Sequence, residues 1–201
     1  MANHVTTNIV IQTTTDIITH LVNHINNGIT DTTSYSDREN IMTLNLFSML
    51  YESWPTENGE PTWPTRTYMM DVVGSKWCFL SDIEFDDDSL CLNLTSAWDA
   101  PNWFIYRLSD YINEKLVTDT SKFEMEITSE DEGYNHVSGG FANKNGCEFT
   151  CDYDPPFSYP DSDEYDDDGD FDIALDTFYQ SVADHITILI HEAKLELDEN
   201  L

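Results

Sequence analysis

Basic residues are scarce in this chain: 201 residues carry 8 Lys and Arg against 39 Asp and Glu, a formal charge of −31. A molecule so charged is repelled by nucleic-acid phosphates and by anionic membrane surfaces, which excludes both as direct partners. Long apolar runs are missing too. None approaches the roughly 20 residues that span a bilayer, and residues 1–12 have no basic leader of the secretory kind. The chain therefore reads as cytoplasmic, and its four cysteines as thiols. Glycine is limited to 8 residues, with neither a Gly-x-Ser-x-Gly elbow nor a phosphate-cradling loop among them. What remains is apolar mass, 40% hydrophobic and 12% aromatic, enough for a real core in one domain of ordinary size.

The order of elements follows from periodicity. His4 to Gln12 is β-branched and nearly uncharged, a strand. Ile17, Ile18, Leu21, Val22 and Ile25 then recur at helical spacing, stopped by Gly28. Ile41, Leu44, Phe47, Met49 and Leu50 repeat that pattern, and a proline-rich loop runs through Pro55, Pro61 and Pro64. Residues 76–98 form a hairpin about an Asp87-Asp88 turn. Its register sets Phe85 opposite Leu90, Ile83 opposite Leu92, Ser81 opposite Leu94, Phe79 opposite Ser96 and Trp77 opposite Trp98. A helix follows Pro101, then strands at 123–127 and 136–142. Asn145-Gly146 turns into a last strand. Mixed order joined by hairpins gives an α+β fold, a largely antiparallel sheet with helices packed on one face. Residues 1–153 make this domain. An acidic loop or mobile linker fills 154–172, and a helix over 173–201, apolar on more than one side, suits packing on the domain or a homodimer contact.

Four segments carry a family resemblance. Met1-Ala2-Asn3-His4-Val5 looks like the opening strand of the YubB family, ferredoxin-like domains of phages and plasmids. Gly74-Ser75-Lys76-Trp77 is similar to that family's Gly-Thr-Lys-Trp motif. Ser96-Ala97-Trp98-Asp99-Ala100-Pro101 resembles its Thr-x-Trp-Ser-x-Pro segment, and residues 130–140 its acidic, glycine-containing hairpin. The resemblance covers residues 1–153 in patches, and Asp99 departs from the usual small residue. It implies a ferredoxin-like split βαβ fold without an iron–sulfur cluster and a mobile-element origin, but no activity.

Several residue groups have chemistry to offer. With Gly169 as the sixth position of a calcium loop, Glu164, Asp166, Asp168, Asp170 and Asp172 occupy the odd ligand positions, yet the twelfth is Leu175 in place of the bidentate Glu. Dense Asp runs match such a pattern by chance, and a solvated acidic loop is the better reading of them. Asp16, His20 and His24 share a helix face but lack a third ligand of the zinc type. Only one short cysteine spacing exists, Cys147 to Cys151, so buried thiols fit better than a thiolate site. Lys76, Trp77 and Trp98 are candidates for a shared binding surface, against the plainer role of an aromatic pair closing the hairpin.

The composition favours a non-enzymatic module whose acidity recognises a basic surface on a protein of host or phage origin, in one form by imitating the charge of DNA. Asp166, Asp168 and Asp170 belong to that binding set. The alternative is a calcium-binding module or a metal-assisted enzyme built on residues 163–172. The acidity also suits a saline habitat.

Overall fold

A computed structural model describes residues 3–118, 120–165 and 168–199. The first strand, β1 (His4–Thr13), alternates buried and exposed positions along its length. Val5, Thr7, Ile9, Ile11 and Thr13 are buried, one side of the pleat. Helix α1 (Thr15–Ile25) turns Ile17, Ile18, Leu21, Val22 and Ile25 inward, and Gly28 ends the segment at a φ of 82° that glycine adopts without a Cβ clash. Helix α2 (Tyr35–Leu50) begins earlier than its apolar stripe indicates. Ser34 caps it, its Oγ accepting from the Asp37 N–H at 3.2 Å. The loop expected around Pro55–Pro64 holds a two-residue hairpin, β2 (Thr56–Glu57) with β3 (Glu60–Pro61). A short helix, α3 (Arg66–Val72), follows, capped by Thr65.

The central hairpin joins β4 (Cys78–Phe85) to β5 (Ser89–Ala97) around the expected Asp87-Asp88 turn. Asp86 Oδ1 accepts from the N–H groups of Asp88 and Ser89. Phe85 pairs with Leu90 and Ile83 with Leu92, as the pattern requires. Beyond Asp82 the register shifts, so Leu80 pairs with Leu94, Phe79 with Thr95 and Cys78 with Ser96. This corrects the pairings of Ser81, Phe79 and Trp77 read from sequence. The reason is burial: unbroken alternation would drive Ser81 into the core and leave Leu80 and Cys78 outside. The bulge puts Leu80 and Cys78 fully inside, and Ser81 Oγ donates to the Asn93 carbonyl at 2.8 Å.

Helix α4 (Asn102–Tyr111) continues as one wide turn over Ile112–Leu116. Strands β6 (Phe123–Asp131), β7 (Val137–Asn143) and β8 (Gly146–Asp152) then form a meander. The sheet order is β4-β5-β1-β6-β7-β8, with every neighbour antiparallel. Within it β4-β5-β1-β6, connected through α1 and α4, is the ferredoxin-like split βαβ arrangement. β7 and β8 extend one edge.

Two cores lie on opposite sides of the sheet. Helices α1, α2 and α4 share one face with Ile9, Ile11, Leu80, Leu92, Met125, Ile127 and Ala142. Helix α5 (Asp168–Glu199), 32 residues or about 48 Å long, takes the reverse face. There Phe178, Val182, Ile186 and Leu189 pack on Val137, and Ala193 and Leu197 on Phe141. Gly139 permits this contact: a Cβ built on it would stand 2.6 Å from the Leu189 Cβ and 2.9 Å from the Ile186 carbonyl oxygen. Helix α5 packs on β7 and β8 and touches β6, while on the reverse face of β1 and β4 His4, Thr6, Gln12, Asp82 and Glu84 stay exposed. Among the described residues no helix is long and apolar enough to cross a membrane.

Candidate functional site

The open half of the reverse face is framed by carboxylates. Because side chains alternate, the residues of β1 that point there are His4, Thr6, Asn8, Val10 and Gln12, the complement of its buried set. Asp82 and Glu84 stand on the β4 rim, both exposed. Glu124 and Glu126 stand on the β6 rim, three strand spacings or roughly 14 Å away. Between them the floor is neutral and polar. Asn8 Nδ2 donates to Asn93 Oδ1 at 2.8 Å and to Cys91 Sγ at 3.2 Å. The β6 rim is partly compensated: Lys194 donates to Glu126 at 2.7 Å, and Lys122 lies 3.9 Å from Glu124. Exposed pairs of this kind contribute about 0–1 kcal/mol and exchange readily.

An aromatic ladder crosses one end of the same face. Trp63 packs on Phe79 with ring centroids 5.0 Å apart, Phe79 on Trp77 at 5.6 Å, and Trp77 edge-on to His4 at 5.3 Å. The bulge at Ser81 is what turns Phe79 out to this side. Trp98 lies elsewhere. It follows the end of β5 in the left-handed region, at a φ of 75°, and donates its N–H to the Asn3 carbonyl at 2.9 Å. Its ring is covered by Lys76, with Nζ 4.6 Å from the centroid, and by Arg66 at 5.1 Å. Lys76 and Trp98 are thus brought together, while Trp77 joins a different cluster. Sequence reasoning missed Arg66, since nothing in α3 signalled its approach.

The acidic run does not have the shape of a calcium loop where it is described. Glu164 ends a single 3-10 turn over Ser162–Glu164. Asp166 lies outside the described residues, as does the Asp168 side chain, so those ligand positions carry no geometry. Helix α5 starts at Asp168, placing Asp170 and Asp172 in its first turns rather than in the linker expected through residue 172. Carboxylates there are favoured by the helix dipole. The segment before it is pinned: Phe157 and Tyr159 pack on Phe178 with centroids at 5.6 and 5.3 Å. Among the described residues no group of three or more His, Cys, Asp or Glu is arranged to hold a metal.

Other polar groups have structural work. Asp131, buried beneath the β6–β7 turn, accepts from Asn3, from Asn135 Nδ2 at 2.9 Å and from the His136 N–H at 3.0 Å. Burial alone would raise its pKa; these donors and the His136 ring outweigh it and hold the carboxyl below its ordinary value. His185 meets Asp152 at 2.8 Å, tying α5 to β8. All four cysteines are free. Burial pushes the Cys147 thiol up to about 12, and Cys78 also well above its usual range, so neither is a thiolate nucleophile at neutral pH.

No family model, no curated protein and no solved structure matches this chain.

Proposed function

We propose that the domain works by binding, and that it offers the open, carboxylate-rimmed half of its sheet to a basic surface on a protein partner. The observation that carries this reading is the exposed pair Asp82 and Glu84 beside an uncovered polar floor, on a molecule whose 8 basic residues leave a formal charge of −31. The field of such a surface steers cations inward and sets partner choice more than raw affinity. A partner that normally holds DNA would meet a comparable charge here. The resemblance carried by the Lys76-Trp77 and Trp98 segments supports an accessory role in a phage or plasmid.

The test is capture from host lysate at about 50 and 500 mM salt, where screening differs strongly. The double reversal Asp82→Lys with Glu84→Lys should abolish recovery of a discrete basic protein. Glu192→Lys with Asp198→Lys, an equal charge change on α5, should leave it intact. A blank at both salts, or equal loss with either pair, ends the reading.

A further inference from the structure

Where α5 gives way to the open half of the sheet, its flank and β6 enclose a groove of about 440 Å³. Val182, Ile186 and Ile190 of α5 supply an apolar wall. Tyr134 and Tyr179 stand together at one end, ring centroids 6.0 Å apart. From the sheet side comes Glu130, half-buried. Among the described residues no donor or cation pairs with its carboxylate, and Glu126 lies two positions along the same face of β6. Burial, and the neighbouring charge of Asp131, hold the Glu130 carboxyl above its ordinary pKa.

The groove therefore presents two unmet needs side by side. A purely apolar ligand would leave Glu130 further dehydrated and unpaired, which costs free energy. A purely polar cation would leave the half-exposed Ile190 and Tyr134 and the exposed Tyr179 ring in water. A second copy of this chain brings another formal charge of −31 and is repelled. We infer that the groove receives an amphipathic cationic segment of the protein partner, an aliphatic side chain lying against Ile186 and Ile190 and a Lys or Arg meeting Glu130. This rests on the basic-partner reading above and adds to it a defined seat, next to the open sheet.

A dye-labelled amphipathic helix of Leu and Lys, about 14 residues or four turns long, is the probe. A scrambled peptide of the same composition and an oligolysine of the same charge are its controls, all read by fluorescence anisotropy. The amphipathic peptide should bind at least about tenfold more tightly than either control. Ala183→Trp, at an exposed position on the groove wall, fills the space, and Glu130→Gln removes the charge without changing shape. Each should weaken binding by about tenfold, while Asp82→Lys with Glu84→Lys has a smaller effect. Equal affinity for amphipathic and scrambled peptides overturns the groove. So does full affinity in both groove variants alongside loss on the β4 rim, and either result leaves the charged-surface reading standing. Failure of every cationic peptide to bind at low salt overturns both.

Discussion

Glu130 and Asp131 are chain neighbours whose carboxyls are pushed in opposite directions, because β6 points them to opposite faces of the sheet. Asp131 enters a nest of donors, and Glu130 a groove in which none of the described donors pairs with it. The signs follow by linkage. Asp131, with a lowered folded pKa, stabilises the protein above the ordinary carboxyl range and loses that contribution as pH falls through the lowered value. Glu130, with a raised one, opposes folding at neutral pH and is relieved as pH falls through the raised value. Asp131→Asn should cost about 1–3 kcal/mol in urea melts at pH 7, a gap that narrows as pH falls below the ordinary carboxyl range. Glu130→Gln should do the reverse, raising Tm at pH 7 with an advantage that fades in acid. A destabilised Glu130→Gln at pH 7 would mean that the carboxylate has a partner after all. Neither residue stood out in sequence, since 39 acids make any one of them uninformative until the donors around it are known.

Helix α5 seats on the sheet through the absence of a side chain. Gly139→Val sets methyl groups where the Leu189 Cβ and the Ile186 carbonyl already stand, so either the helix lifts or the strand bends. Overpacking of this sort costs about 1–3 kcal/mol. Thermal melts should show the loss, and hydrogen exchange should show it concentrated in α5 and β7, with β1 and β5 spared. Uniform exposure across the sheet would contradict the two-core description. Much at this scale was legible beforehand: β1, α1, the Asp87-Asp88 turn, α4 and the late meander all follow from apolar spacing and turn residues. The bulge at Ser81 was not legible, because pairing rules assume unbroken alternation, and only the burial of Leu80 and Cys78 decides between one register and a shifted one. The start of α5 was hidden for a different reason. Its first turns are acidic, and a search for apolar periodicity passes over residues that favour a helix end through its dipole.

At the scale of the whole molecule, 39 acids and 8 bases confined to one fold repel one another. Screening should therefore stabilise the folded state. Raising sodium chloride from about 20 to 500 mM is expected to add about 1–2 kcal/mol, or about 4 °C in Tm for a chain of this size. Potassium chloride should act alike, which separates general screening from a specific ion. A flat response would mean that the charges are spaced widely enough to ignore one another. The candidate surface was only half legible at this scale. Composition announced a charge in search of a cation, but which face stays uncovered depends on where α5 lands. That was settled by Val137, Gly139 and Phe141 sharing one side of β7.

The sheet also sets a timetable for synthesis. β1 leaves the ribosome ahead of the sheet's other strands, yet both of its neighbours come from far along the chain: β5 ends at Ala97 and β6 at Asp131. At about 5–20 residues per second, roughly 4–17 s pass between the emergence of β1 and the completion of its first partner. Throughout that interval Ile9 and Ile11 belong to a strand with two unpaired edges. The short, strongly apolar α1, which follows at once and packs on the same face, is the nearest cover the nascent chain can offer them.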